Sequence, residues 1–304
     1  MNLSNPLTEP LFLPVIRVIS TLLLAGFIAV FAAVKRQKQS LTQSSLFIRW
    51  KTWVVLAPVA IISILAGPAA LAVVVGATVL VCTWELAAMA KISKAQTLVM
   101  QACALSIMIC NAFFPNAVVA SLVASLLALA ITAMVKSSDG SGFQELSVSL
   151  CGSIYIGLLS SFAISIASLP QGKALLIATF TASALANVMA FTAGKLFGGA
   201  RLAPVLSPNK TWSGACGAVA GAATTFGIIA FCTAIYNPVL SLLFGVTIAV
   251  AGIAGDLCES MAKRSFAVKD AGTWLPGFGG ALDRVDGLLF VLPSVYFLSL
   301  CCAR

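Results

Sequence analysis

A series of apolar runs, each about twenty residues long, constrains this chain more than any other feature. A run of that length spans the hydrocarbon of a bilayer once it is wound into a helix. The runs lie near 14–34, 53–66, 68–90, 96–114, 116–135, 147–168, 173–193, 214–236, 238–259 and 284–303. They predict an all-α integral membrane protein, a polytopic helical bundle of about ten transmembrane helices. Composition agrees: with 60% hydrophobic residues and a mean hydropathy of +1.06, there is too little polar sequence to cover a soluble globule.

Breaks between the runs set the organisation. Gly67 and Pro68 separate adjacent runs so briefly that a tight hairpin is expected, and Pro115 turns the next pair. The polar connector from Lys136 to Glu145 separates N-terminal transmembrane helices, residues 1–140, from a C-terminal transmembrane catalytic region, residues 141–304. That second region holds two polar loops, 194–213 and 260–283. Lys35, Arg36 and Lys38 follow the first run and mark it as a retained span rather than a cleaved leader.

With the N-terminus outside, the loops bearing Lys35 to Lys51, Lys91 and Lys94, Lys136, Lys195 to Lys210, and Lys263 to Arg284 all face the cytoplasm. Arg17, Lys173 and Arg304 fall on the other side. The net charge of +9 is therefore a topology signal under the positive-inside rule, and no groove-reading motif points to nucleic acid.

Charged residues make up 9% of the chain, yet the stretch from Asp256 to Asp286 carries nine of them: Asp256, Glu259, Lys263, Arg264, Lys269, Asp270, Asp283, Arg284 and Asp286. If the preceding run stays helical to about Arg264, then Asp256, Glu259, Ser260 and Lys263 share one face at i, i+3, i+4 and i+7. Asp283 and Asp286 share another. Between them lies LPGFGG, where Gly279 and Gly280 suit a tight turn or a close approach of backbone to a ligand. Converging carboxylates suit a hard cation such as Mg2+, and neighbouring cations suit phosphate oxygens. Asp256, Asp283 and Asp286 are the metal candidates, with Lys263, Arg264, Lys269 and Arg284 around them. Structural ion pairs at a membrane surface would draw on the same residue types.

The order Ser260, Lys263, Arg264, Lys269, Asp270, Gly272, then LPGFGG, then Asp283, Arg284 and Asp286 resembles the signature of the phosphatidate cytidylyltransferase (CDP-diacylglycerol synthase) family. The resemblance implies a membrane enzyme that uses Mg2+, alone or with a second cation, to join CTP to phosphatidate, giving CDP-diacylglycerol and pyrophosphate. It also implies a homodimer and a bacterial inner membrane, with the active site facing the cytoplasm. The segment Ser207-Pro208-Asn209-Lys210-Thr211-Trp212 resembles the family's second characteristic segment. Lys210 is then a candidate phosphate contact, and Ser207 and Thr211 are candidate hydroxyl donors, with Ser260 and the two loop glycines as further substrate contacts. Four positions depart from the pattern. Phe278 stands where the family has His, Ala281 where it has a larger apolar residue, Ser213 where it has Glu, and Asn187 where it has Asp.

The chain has no histidine, which removes the commonest general base. A phosphate monoester has a second pKa of about 6, so it reaches neutral pH mostly as a dianion with no proton to lose before attack. What the reaction needs is alignment and charge neutralisation. On this reading Asp256, Asp283 and Asp286 place Mg2+, and Lys210, Lys263, Arg264 and Lys269 hold phosphates. Asp270 and Arg284 orient the loop or pair with one another. Three alternatives stand beside it: a CTP-dependent transferase acting on another lipid or isoprenoid phosphate, a catalytically silent homologue, and an ion-coupled transporter. Glu85 near the end of the third run is either an interfacial carboxylate or a functional one. The nine cysteines form no CxxC pair and read as small buried hydrophobes.

Overall fold

The computed structural model describes residues 9–17, 20, 21, 24, 27, 28, 31, 45–136, 140, 142–272 and 279–302. Nine long helices run through them: α1 Ser45–Ala66, α2 Pro68–Met89, α3 Lys94–Phe113, α4 Val118–Lys136, α5 Gly142–Ala167, α6 Gly172–Phe197, α7 Trp212–Thr233, α8 Pro238–Ser265 and α9 Leu282–Cys302. Eight of these, α2 to α9, are long and apolar enough to cross a membrane, α4 being counted with the short turn Pro115–Ala117. The apolar part of α1, Val54–Ala66, is shorter. The chain is an all-α polytopic membrane protein. The expected span near 14–34 lies largely outside the described residues, so these residues show eight full spans and a shorter apolar helix where about ten spans were predicted.

Helix ends follow local chemistry. Gly67, at φ 103°, takes the left-handed conformation that lets α1 reverse into α2, and Pro68 opens α2 where no amide donor is needed. Ser93 caps α3, accepting from the Gln96 amide at 3.4 Å, and its hydroxyl donates to Glu145 of α5 at 3.0 Å. Asn237 caps α8 through the Leu240 amide at 2.9 Å. α5 contains a widened π segment, Ser153–Leu158.

Lipid offers no hydrophobic drive between helices, so small residues and polar bonds hold the spans together. α6 lies along α7, α7 along α8 and α8 along α9. A Cβ on Gly217 of α7 would sit 2.7 Å from the Met189 carbonyl oxygen of α6, so that pair meets at backbone distance. Asn111 donates to the Ser161 hydroxyl at 2.8 Å, and Gln96 donates to the Leu129 carbonyl at 3.2 Å. Phe226 and Phe244 stack at 5.1 Å in a buried cluster that draws on residues from Ile64 to Val295. Large apolar side chains such as Val119, Met134, Phe231 and Val239 point outward, as a lipid-facing surface requires.

The loop after α6 differs from its expected form. It is a two-stranded antiparallel hairpin, β1 Arg201–Ala203 and β2 Ser207–Thr211, with Arg201 opposite Thr211 and Ala203 opposite Ser207. Pro204 and Pro208 rule out a continued helix, so the backbone groups pair across the turn instead.

Candidate active site

α8 stays helical through Arg264 and ends at Ser265, which puts Asp256, Glu259, Ser260 and Lys263 on one face near its tip. α9 begins at Leu282 and carries Asp283 and Asp286 in its first turns. The two tips meet at a pair of glycines. A Cβ on Gly255 would lie 2.5 Å from the Asp286 carbonyl oxygen, and one on Gly287 would lie 3.0 Å from Asp256 Oδ1. Without side chains there, the backbones approach and the acids are brought together.

Lys263 fastens the tips. Its ammonium is 2.6 Å from Glu259 Oε2, one turn back on α8, and 2.7 Å from Asp283 Oδ1 on α9. Asp283 Oδ2 accepts the amides of Ala271 at 3.0 Å and Gly280 at 2.8 Å. Both oxygens of Asp283 are thus engaged in tying the loop to the two helices. Gly279, at φ 85°, makes the turn before α9 that this arrangement needs.

Glu85, near the end of α2 and 2% exposed, holds the same loop from the opposite side. Its carboxylate accepts the amides of Ala281 at 2.9 Å and Leu282 at 2.8 Å, two of the donors left over at the start of α9. A Cβ on Gly280 would stand 2.7 Å from Glu85 Oε2, so the loop is seated directly on this carboxylate.

Lys210, on β2, reaches back to α8 and lies 2.8 Å from Asp256 Oδ2. Asp286 accepts the Gly287 amide at 2.8 Å and lies within electrostatic reach of Asp256, Lys210 and Lys263. Among the described residues, no three Asp, Glu or Cys side chains gather into a closed metal cage. Asp256 and Asp286 remain a converging pair, and two carboxylates with waters and phosphate oxygens are an ordinary Mg2+ environment.

The other predicted residues divide by role. Thr211 is buried and caps α7, its hydroxyl accepting the Gly214 amide at 3.1 Å. Ser207 and Ser260 are half-buried. Arg264, Lys269, Asp270 and Arg284 are exposed around the tips. Of the departures, Ser213 donates to the Gly198 carbonyl and secures the start of α7, Ala281 supplies an amide to Glu85, and Asn187 is exposed on α6. Phe278 lies outside the described residues. Glu259, which helical spacing puts on the same face without assigning it a role, is 1% exposed and partners Lys263, a pairing that the i, i+4 spacing foreshadows.

Residues 47–302 match the profile of the Cytidylyltransferase family. The chain is 38% identical over 182 residues to the phosphatidate cytidylyltransferase of Bacillus subtilis (strain 168), covering 59% of this chain and 66% of that protein. It is 41% identical over 131 residues to the phosphatidate cytidylyltransferase of Brucella melitensis, covering 42% and 47%. The phosphatidate cytidylyltransferase of Rickettsia bellii is 33% identical over 157 residues, covering 49% and 68%. The matches span about half to two thirds of these relatives' own length.

Proposed function

The chain belongs to the Cytidylyltransferase family, and on that premise we propose that it transfers CMP from CTP to phosphatidate, forming CDP-diacylglycerol and releasing pyrophosphate. The observation that supports this reading best is the bond between Lys210 and Asp256, two residues 46 apart in sequence. It joins the hairpin after α6 to the tip of α8, so the cationic loop and the acidic helix tips form one polar cluster. The positive-inside bias favours the cytoplasmic face for that cluster, where CTP is supplied.

In the proposed reaction an oxygen of the lipid phosphate bonds to the α-phosphorus of CTP as the bond to pyrophosphate breaks. No proton has to be removed from the attacking dianion, which suits a site without histidine. Asp256 and Asp286 would hold Mg2+, which supplies neutralisation of the phosphate oxygens and of the leaving group. Lys210 has only Asp256 to answer among the ion pairs of the described residues, so it can turn to a phosphate. Arg264 and Lys269 are exposed beside the tips and can hold the triphosphate. Lys263, Asp283 and Glu85 act differently. They fix the loop between α8 and α9, so the reacting groups meet in a set geometry.

The test uses the purified full chain with labelled CTP, Mg2+ and phosphatidate, reading CDP-lipid and pyrophosphate together. Formation of both products supports the reading, and loss of both in Asp286→Asn supports the metal assignment. Absence of any lipid-linked CMP from any lipid phosphate refutes the enzyme. Undiminished product from Asp286→Asn refutes the role of that carboxylate.

A further inference from the structure

Cytidylyl transfer by these acids and cations leaves a buried donor near the acids unused. Tyr155 sits in the π segment of α5, and its hydroxyl oxygen is buried with no hydrogen-bond partner among the described residues. Buried hydroxyls are nearly always satisfied, so an orphan asks for a missing partner. The ring is not free to look elsewhere. It meets Phe290 of α9 edge-on, with centroids 6.1 Å apart.

The π segment is itself pinned. Ser153 donates to the carbonyls of Ser149 at 2.8 Å and Met100 at 3.3 Å, and a Cβ on Gly157 would stand 2.5 Å from the Ala104 carbonyl oxygen of α3. Widened turns of this kind are uncommon and frequently mark functional sites. Tyr155 lies within electrostatic reach of Cys258, Glu259 and Asp256 near the tip of α8 and of Asp286 on α9. Phe290 lies one turn beyond Asp286 along α9, so Tyr155 meets α9 farther from its tip than the acids stand, on the apolar side of the site.

We propose that Tyr155 is a substrate-positioning residue: its hydroxyl donates to an oxygen of the acceptor's phosphate, the one that arrives with its acyl chains among the helices. This rests on the cytidylyl-transfer reading, which supplies a lipid phosphate on that side of the acids and a nucleotide on the other. Glu259 Oε1 is a buried acceptor that likewise lacks a partner among the described residues, so a trapped water bridging the two is the competing explanation. The two explanations differ in what removal of the hydroxyl does.

Tyr155→Phe keeps the ring and its contact with Phe290. Taking away an orphan hydroxyl leaves the ligand-free protein as stable as the native chain or slightly more so. We expect its melting temperature without ligand to be unchanged or raised, while the stabilisation given by phosphatidate alone, without CTP, shrinks. In steady state the KM for phosphatidate should rise by about tenfold to a hundredfold, the loss of one hydrogen bond to a charged group, with the KM for CTP unchanged. Unchanged phosphatidate stabilisation and KM in Tyr155→Phe, with the native chain active, would overturn the assignment and leave the enzyme standing. A rise confined to the KM for CTP would overturn it too. A native chain that neither binds phosphatidate nor transfers CMP would overturn this inference together with the function beneath it.

Discussion

Replacing Glu85 tests whether the loop before α9 is held from α2. The carboxylate receives two amides, from Ala281 at 2.9 Å and Leu282 at 2.8 Å, and is 2% exposed, so water cannot readily take its place. A hydrogen bond to a charged group contributes about 1.5–3 kcal/mol, so the pair contributes about 3–6 kcal/mol to keeping the loop seated. Glu85→Gln keeps the shape and one acceptor oxygen, and turns an NH2 toward the second amide. It should therefore lose about half of that, and the closed loop should open about ten to a hundred times more often. Hydrogen exchange at Ala281 and Leu282 would report the opening, and CMP transfer would fall with it while the rest of the chain stays protected. Glu85→Asp should not rescue, because the shorter arm cannot reach both amides. Exchange at these two amides as slow in Glu85→Gln as in the native chain, with transfer unchanged, would refute the argument.

Other perturbations probe neighbouring segments of the cluster. Lys263→Met leaves Glu259 and Asp283 buried without their shared cation, and should destabilise the protein by about 3–5 kcal/mol, read as a lower thermal midpoint in detergent. Gly255→Val forces atoms to within 2.5 Å of the Asp286 carbonyl oxygen, so the α8 and α9 tips must separate; about 1–3 kcal/mol of stability should be lost, and transfer should fall further than stability alone accounts for. Lys210→Met should raise the KM for CTP or for the lipid phosphate by about tenfold while the thermal midpoint, set by the helices, changes little. Chelating divalent ions should abolish transfer, and added Mg2+ should restore it in the native chain but not in Asp286→Asn.

Much of the candidate site was legible because its signals are local. The helical register of Asp256, Glu259, Ser260 and Lys263 needs only that α8 continue, which it does as far as Ser265. Asp283 and Asp286 fall at the mouth of the apolar run expected near 284–303, and α9 begins two residues before that run, at Leu282. Glu85 was harder. A carboxylate near a span end reads equally as interfacial or functional, and its partners at Ala281 and Leu282 are 196 and 197 residues away. The hairpin of β1 and β2 lies where the sequence shows only a polar loop, because three- and five-residue strands beside Pro and Asn carry no period of their own.

The sequence by itself determined the membrane class, the number of spans to within a few, which loops carry the basic residues and the residue types of the candidate site. Run length, loop charge and helical period act over a few turns of chain, so neighbouring residues suffice to carry them. Only the tertiary structure decided how the acids are shared out. Lys263 takes Asp283 with Glu259, Lys210 takes Asp256, and Glu85 takes the amides of the loop. That division follows from glycines letting α8 and α9 meet at backbone distance, and from α2 passing beside them, which are relations between segments far apart in the chain.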